Sequence, residues 1–230
     1  RNPLNIFKNK TKDEFPTLSD EQQKAFDKIS LKTDNKQTQP ILLNGVTGSG
    51  KTEIYFRAIK KVLDEGRNIL FLAPEIALAS QLTLRLIKRF NPEEIAIWHS
   101  SISEGEKYDV WNKLRRNQIR IIIGARSAVF APLSNIGLVV IDEEHENTYK
   151  QTSPAPRYDA RLVAEKICEF HNAVLIKGSA TPDVISYFKA LNTGNLITLN
   201  HRFNNVDLAN QENEKEIDEL KKLKDKNESE

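Results

Sequence analysis

Two short stretches of the sequence carry residue types that could act on phosphate groups. The first, LLNGVTGSGKTEIY at residues 42–55, satisfies G-x-x-x-x-G-K-[ST] between a predicted strand and a predicted helix. Glycines there would let backbone N–H groups converge on phosphate oxygens, and the N-terminus of the following helix would add favourable charge. The sequence therefore predicts a phosphate-binding loop, made of Gly45, Val46, Thr47, Gly48, Ser49, Gly50, Lys51 and Thr52.

The side chains of this loop predict that ATP and Mg²⁺ are its ligands. Lys51 would reach the β- and γ-phosphates, and the hydroxyl of Thr52 would ligate the metal. A glycine-rich turn of purely structural use is the alternative interpretation. The strand before the motif and the helix after it favour the phosphate loop.

The second stretch, LVVIDEEHENTYK at residues 138–150, runs from apolar residues directly into three acids and a histidine. Adjacent carboxylates repel one another and resist burial, so a bound cation is expected to compensate them. Asp142, at the C-terminal end of the predicted strand IGLVVI, would hold the same Mg²⁺ as Thr52. Glu143 would orient or deprotonate the water that attacks the γ-phosphate. A solvated acidic loop is the alternative.

Apolar runs alternate with amphipathic helical stretches along most of the chain. Strands that are apolar throughout and alternate with helices favour a doubly wound α/β domain with a mainly parallel sheet. We expect a linker at residues 1–17, this domain at 18–205 and a charged, disordered tail at 206–230. The predicted strands are PILLN, NILFLAP, EIAIWHS, IRIIIGA, IGLVVID and NAVLIKGSA.

Composition favours a soluble, cytoplasmic protein with no membrane partner. Hydrophobic residues make up 39% and charged residues 29% of the 230 residues, without a signal peptide or an apolar run of about 20 residues. A lone cysteine, Cys168, excludes an internal disulfide and a multi-cysteine zinc site within the chain. The net charge is only +2, yet basic clusters such as LTLRLIKRF and KLRRNQIR could still serve a polyanion. A solvated helix face is the alternative for these clusters.

Five stretches occur in the order GVTGSGKTEIY, LAPEIALASQ, IGARSAVFAPL, VVIDEEHENTYKQ and KGSATPDV. Together they resemble the first motor lobe of superfamily-two helicases, which is a RecA-like phosphate-loop NTPase lobe. Within that superfamily they are most similar to the primosomal protein N′ (PriA) family of bacterial replication-restart helicases. The resemblance covers about residues 18–205. It implies a DNA-dependent ATPase and 3′–5′ DNA helicase that acts in primosome assembly.

The same resemblance implies further site residues and partners. Gln22 would read the adenine, and the residues that couple the nucleotide site to the DNA site would be His145, Ser179, Ala180 and Thr181. The implied partners are forked or single-stranded DNA, other primosome proteins and single-stranded DNA-binding protein. The implied DNA-binding residues are Pro74, Glu75, Arg126, Ser127, Tyr149, Lys150, Arg157 and Tyr158.

The chain also departs from the family pattern. The family usually reads R-Y-H-A-R-D in one loop, whereas Asp159 and Leu162 stand here at the His and second Asp positions. Asp159 would add negative charge where a donor to DNA is expected. Three parts of the family's proteins are missing from these 230 residues. They are the second motor lobe, which carries an arginine of the ATP site, the zinc module, and the N-terminal DNA-binding region. We therefore expect a fragment of weak activity. A duplex-DNA translocase lobe and a degenerate nucleotide-binding fragment are the alternatives.

Overall fold

The structure, a computed structural model, describes residues 15–74, 81–98 and 102–202. The strands are β1 (Ile41–Gly45), β2 (Asn68–Leu72), β3 (Ile95–Trp98), β4 (Ile121–Gly124), β5 (Ile136–Ile141), β6 (Lys150–Gln151), β7 (Tyr158–Asp159), β8 (Val174–Ser179) and β9 (Leu196–Leu199). The α-helices are α1 (Asp20–Asp34), α2 (Lys51–Asp64), α3 (Gln81–Arg89), α4 (Glu104–Arg115), α5 (Ala160–His171) and α6 (Val184–Asn192).

Within these ranges, seven strands form one sheet in the order β3-β4-β2-β5-β8-β1-β9. Every neighbouring pair in it is parallel. The remaining two strands, β6 and β7, form an antiparallel hairpin. Because the strands are parallel, all of their carboxyl ends lie at one edge of the sheet, where open α/β sheets bind their ligands.

Helices cover both faces of the sheet, which is why its strands are apolar on both sides. Buried side chains of α1, α2 and α3 form one cluster with the first face. Buried side chains of α4 and α5, with the 3-10 turn at Arg126–Phe130, form a second cluster with the other face. The central strands β2, β5 and β8 are buried along their whole length. The predicted doubly wound, parallel α/β architecture is confirmed.

Local sequence explains where the helices near the carboxyl edge begin. Ser19 and Gln22 form a capping box at the start of α1, with each side chain accepting a hydrogen bond from the other's backbone N–H. Gly50 precedes α2 in the left-handed region, at φ +84°, a conformation that favours glycine. Asp159 caps α5 by accepting a hydrogen bond from the Arg161 N–H. These N-terminal residues fix where α1, α2 and α5 begin, beside the predicted site.

The structure forms all six predicted strands and adds elements that the sequence did not indicate. The hairpin of β6 and β7, the helix α6 and the edge strand β9 are additional. Phe15, inside the predicted linker, packs edge-to-face on Phe90 with ring centroids 6.2 Å apart. The predicted tail and Glu75 lie outside the described residues, so the domain boundaries stay predictions. None of the described helices is long and apolar enough to cross a membrane.

Two glycine-to-alanine variants should change the stability of the fold in opposite directions. A Cβ at Gly124 would lie 2.4 Å from the Trp98 carbonyl oxygen and 2.4 Å from the Ala128 Cβ, so β3 and β4 would have to separate. We expect Gly124→Ala to lower the free energy of unfolding by about 1–3 kcal/mol. Gly105, in the first turn of α4, would place its Cβ in open space, so Gly105→Ala should raise that energy by about 0.5–1 kcal/mol.

Urea denaturation followed by circular dichroism measures both effects. Equal midpoints for Gly124→Ala and the wild type would show that β3 does not approach β4 as described.

Candidate nucleotide and DNA site

Three of the predicted motifs meet at the carboxyl edge of the sheet. The phosphate loop follows β1, the acidic stretch follows β5, and the coupling residues begin at the end of β8. Since β8 lies between β1 and β5, the three motifs are direct neighbours. The fold therefore brings together stretches that lie about 45, 140 and 180 residues along the chain.

The phosphate loop is held by contacts to its own strand and to α1. Lys51 Nζ donates to the carbonyl oxygen of Gly45 at 2.7 Å, so its ammonium lies back over the loop. Gln22 Nε2 donates to the carbonyl oxygen of Ser49 at 3.0 Å. A Cβ at Gly50 would lie 2.2 Å from that same nitrogen, so only glycine allows this approach. Gln22 thus contacts the loop directly, and its role beside a bound nucleotide stays a prediction.

The loop also has a polar group that suits a phosphate. The hydroxyl of Ser49 is buried and finds no hydrogen-bond partner among the described residues, an arrangement that is costly in a folded protein. A phosphate oxygen at the loop would accept a hydrogen bond from it. Thr52 follows in the first turn of α2. The residues present therefore fit a triphosphate bound at this loop.

Asp142 is held by two tyrosines, one from α2 and one that follows the acidic stretch. Tyr55 OH donates to its carboxylate Oδ1 at 3.1 Å, and Tyr149 OH donates to its backbone carbonyl oxygen at 2.5 Å. Its own N–H donates to the carbonyl oxygen of Leu72 at 2.9 Å. Burial, followed by the charge of Glu143, raises the pKa of Asp142 to about 6. A cation bound at this carboxylate would favour its ionised form.

The oxygen atoms that Asp142 and Thr52 offer as metal ligands suit Mg²⁺, which does not need all of its ligands from the protein. No group of three His, Cys, Asp or Glu in the described ranges is arranged to hold a metal ion. Mg²⁺ is usually held by one or two carboxylates, with substrate phosphates and water completing an octahedral shell. The hydroxyl of Thr52 and the carboxylate of Asp142 are ligands of that kind.

The other two acids of the stretch differ in environment. Glu143 is partly exposed and has a left-handed backbone, at φ +47°, which is unusual for a residue other than glycine. Glu144 is buried, and its carboxylate accepts hydrogen bonds from the Asp183 N–H at 2.8 Å and from the Ser186 hydroxyl at 3.0 Å. Glu143 is therefore available at the site, whereas Glu144 ties the end of β5 to the start of α6.

His145 connects the acidic stretch to β8. Its Nδ1 lies 2.8 Å from the hydroxyl oxygen of Ser179 and 3.6 Å from Glu143 Oε2. The Ser179 hydroxyl also accepts a hydrogen bond from the Thr181 N–H at 3.0 Å, across Ala180. The predicted coupling residues thus form one connected group beside Glu143.

The predicted DNA-binding residues divide between a cleft and an exposed hairpin. A cleft of about 610 Å³ lies beside the carboxyl ends of β2, β3 and β4. Lys150 and Arg157 are exposed on the hairpin of β6 and β7, and Pro74 follows β2. We name the cleft the aromatic cleft and define it by Trp98, Lys107, Arg126, Ser127, Phe130 and Tyr149.

Tyr149 and Tyr158 are packed rather than free to stack on a base. Tyr149 is only 1% exposed, since it packs in the second hydrophobic cluster, and its hydroxyl donates to the carbonyl oxygen of Asp142. Tyr158 is half-buried and meets Phe130 edge-to-face, with ring centroids 4.9 Å apart. Of the aromatic residues here, Phe130 is the most open, at 53% exposure. It was not singled out from the sequence, where nothing distinguishes it from a core aromatic.

Asp159, the residue that departs from the family pattern, is paired within the protein. Its carboxylate accepts hydrogen bonds from Arg161 Nε at 2.9 Å and from Arg161 Nη2 at 2.7 Å, while Arg161 Nη1 donates to the carbonyl oxygen of Glu144 at 3.0 Å. Burial opposes ionisation of Asp159, but the contacts with Arg161 outweigh it and lower the pKa of Asp159. Its negative charge is therefore compensated within the protein by Arg161.

The sequence matches the family described as type III restriction enzyme, res subunit, over residues 15–184. It is 47% identical over 188 residues to replication restart protein PriA of Bacillus subtilis (strain 168), covering 81% of this chain and 23% of that protein. It is 40% identical over 213 residues to replication restart protein PriA of Rickettsia felis (strain ATCC VR-1525 / URRWXCal2), covering 91% and 32%. The chain thus spans between about a quarter and a third of the length of these relatives.

Among solved structures, that of RecG bound to a three-way DNA junction has a similar fold. Its TM-score is 0.58, over 83% of this chain and 24% of that chain, at 22% sequence identity. At that identity the likeness concerns the fold alone, and it agrees with the predicted RecA-like lobe.

The Asp159–Arg161 pair makes a prediction about stability and pH. Because the folded pKa of Asp159 is below its ordinary value of 3.8, its ionised form stabilises the folded state at neutral pH and loses that effect as the pH falls below 3.8. Asp159→Asn keeps a good N-cap residue but removes the charge. We expect the wild type to be more stable by about 1–3 kcal/mol at pH 7.

Denaturant titrations at pH 7 and at pH 3 measure this difference, which should shrink at the lower pH. A difference that stays the same at both values would show that the Asp159 charge does not carry the effect.

Proposed function

This chain belongs to the family described as type III restriction enzyme, res subunit, and we propose that it is a helicase motor lobe of the PriA type. It would bind ATP with Mg²⁺ as the ATP-binding lobe of a DNA-dependent ATPase. The whole protein would be a 3′–5′ DNA helicase that acts in replication restart. The observation that carries the proposal is the meeting of the phosphate loop and Asp142 at one edge of the sheet, on the two strands that flank β8.

Each residue of this edge has a role that its chemistry supports. Backbone N–H groups of the loop and the ammonium of Lys51 would bind the β- and γ-phosphates. The contact between Gln22 and Ser49 would position Gln22 next to the nucleotide, where it would read the adenine. The hydroxyl of Thr52 and the carboxylate of Asp142 would hold Mg²⁺, which when bound supplies positive charge that neutralises the phosphate oxygens.

Glu143 is the residue we assign to the attacking water. Its carboxylate is partly exposed at the end of β5, whereas that of Glu144 already accepts hydrogen bonds from the Asp183 N–H and the Ser186 hydroxyl. Glu143 would accept a proton from the water or orient it. His145 lies within 3.6 Å of Glu143 and 2.8 Å of Ser179, so movement of the end of β8 would reach Glu143 through one side chain.

DNA is the proposed partner of the same lobe. Arg126 and Ser127 line the aromatic cleft, and Lys150 and Arg157 lie on the adjoining hairpin, where they suit contacts to a phosphate backbone. Forked or single-stranded DNA, other primosome proteins and single-stranded DNA-binding protein are proposed partners of the whole protein. For binding to DNA driven by phosphate contacts, affinity should fall steeply as the salt concentration rises.

Since this chain spans only about a quarter to a third of its relatives, we propose that strand separation needs a second lobe. An arginine supplied to the γ-phosphate is worth about 10³–10⁵ in rate in phosphate-loop enzymes. The 230 residues alone should therefore bind ATP, hydrolyse it slowly and leave duplex DNA unseparated.

Lys51→Ala tests the assignment of the phosphate loop. We expect this variant to bind Mg·ATP about 10- to 100-fold more weakly, because a charged hydrogen bond to the phosphates is lost. Isothermal titration calorimetry gives the two dissociation constants. Lys60→Ala is the matched control: Lys60 lies in the same helix and its exposed side chain pairs with Asp64, so its affinity should be that of the wild type. Equal affinity in Lys51→Ala and Lys60→Ala would contradict the assignment.

Glu143→Gln separates binding from hydrolysis. The amide keeps the shape of the side chain but cannot accept the proton, so hydrolysis should slow by about 10²–10⁴-fold while ATP affinity stays within a few-fold. Phosphate release in a single-turnover assay measures the rate. Glu104→Gln changes an exposed acid at the start of α4 and should leave the rate unchanged. Wild-type hydrolysis in Glu143→Gln would remove Glu143 from the reaction.

A further inference from the structure

The aromatic cleft combines positive charge with aromatic surface. Among the described residues that line it, Arg126 and Lys107 are cationic and none is Asp or Glu. Lys107 pairs with Glu104, whose side chain is 91% exposed, and such solvent-exposed pairs are weak and easily exchanged. The cleft is therefore suited to an anionic ligand.

Arg126 keeps donors available for that ligand. Its Nη1 donates to the Thr148 carbonyl oxygen at 3.3 Å, and it also contacts the hydroxyl of Tyr158. A guanidinium has five N–H donors in a planar fork, so these two contacts do not exhaust it. The fork geometry matches a phosphate.

The aromatic side chains offer surfaces for a flat apolar group. Phe130 is 53% exposed and is held in place by its edge-to-face contact with Tyr158. Trp98, the last residue of β3, packs against the second hydrophobic cluster and is only partly buried. A cleft of about 610 Å³ is within the range of small-molecule sites and exceeds what a single planar base requires. Cations beside exposed aromatic rings are the combination that binds a nucleotide as a base and its phosphate.

We propose that the aromatic cleft receives one unstacked nucleobase of single-stranded DNA, with Phe130 and Trp98 against the base and Arg126 and Lys107 at its neighbouring phosphate. This inference rests on the proposed function, because it takes DNA as the partner of the lobe. It adds a base-contacting subsite to contacts that would otherwise involve the backbone alone.

The subsite would distinguish single-stranded from duplex DNA. A base within a duplex is paired and stacked on both faces, so it reaches a cleft only if the duplex opens. A single strand can turn one base out at much lower cost. Occupancy would also be sensed at the nucleotide site, since Tyr149 lines the cleft and donates to the carbonyl oxygen of Asp142.

A comparison of two oligonucleotides of equal charge tests the proposal. One is a twelve-nucleotide thymidine strand, and the other is a strand of the same length in which every base is replaced by an abasic tetrahydrofuran. Fluorescence anisotropy of labelled strands at low salt gives both dissociation constants. We expect the wild type to prefer the strand with bases by about tenfold, because base–aromatic stacking is lost in the other.

Variants show whether that preference arises in the aromatic cleft. Phe130→Ala should bring the ratio of the two affinities close to one, and Arg126→Ala should weaken binding to both strands. Phe188→Ala is the matched control, since Phe188 is a 62% exposed phenylalanine on α6, and it should keep the wild-type ratio. Because Phe130 is more than half exposed, its removal should not unfold the chain, which thermal melting checks.

Equal affinities of the wild type for the two strands, or a preference that persists in Phe130→Ala, would overturn the base subsite while leaving ATP and backbone binding intact. Binding of neither strand by a chain that still binds Mg·ATP would instead contradict DNA as the partner, and with it the subsite.

Discussion

The partly buried carboxylate of Asp142 is the constraint around which the site is arranged. A carboxylate resists burial unless hydrogen bonds or a cation compensate it. Tyr55 reaches Oδ1 from α2, and Tyr149 reaches the carbonyl oxygen from beyond the acidic stretch. Gly178 makes room for this arrangement, because a Cβ there would lie 1.5 Å from the Tyr55 hydroxyl oxygen. The remaining uncompensated charge is what a bound Mg²⁺ would neutralise.

Three consecutive acids therefore serve different purposes. Asp142 is tied to α2 and to the aromatic cleft, Glu143 extends into the site, and Glu144 anchors the first turn of α6. His145 adds a contact to the end of β8. Through these four residues the end of β5 contacts α2, β8, α6 and the wall of the cleft. A change at any of these neighbours has a short physical path to the proposed nucleotide site.

The elements that position the site could be predicted from sequence, because a parallel strand buried on both faces is apolar along its length. IGLVVI is such a run, and it forms β5. The strand β9 is four residues long and half exposed, which is too short and mixed to stand out. The helix α6 was missed since several of its large apolar residues, including Val184 and Phe188, face solvent and so give no core-facing stripe.

Individual contacts were less predictable than elements. Tyr55 and Asp142 are 87 residues apart, and no local pattern announces their hydrogen bond. Nothing in DEEH distinguishes the buried Glu144 from the partly exposed Glu143. The sequence alone predicts that Asp159 opposes DNA binding, because its pairing with Arg161 depends on how α5 begins. The phosphate loop motif could be recognised because its glycines are required by backbone geometry. The roles assigned to the site residues remain predictions.

A crystal structure of the chain with Mg²⁺ and a non-hydrolysable ATP analogue tests the proposed nucleotide site most directly. We expect the phosphates to lie against residues 45–52 and the metal to be ligated by the Thr52 hydroxyl, with Asp142 at the metal directly or through one water. An analogue bound elsewhere, or a metal remote from both Thr52 and Asp142, would contradict this assignment.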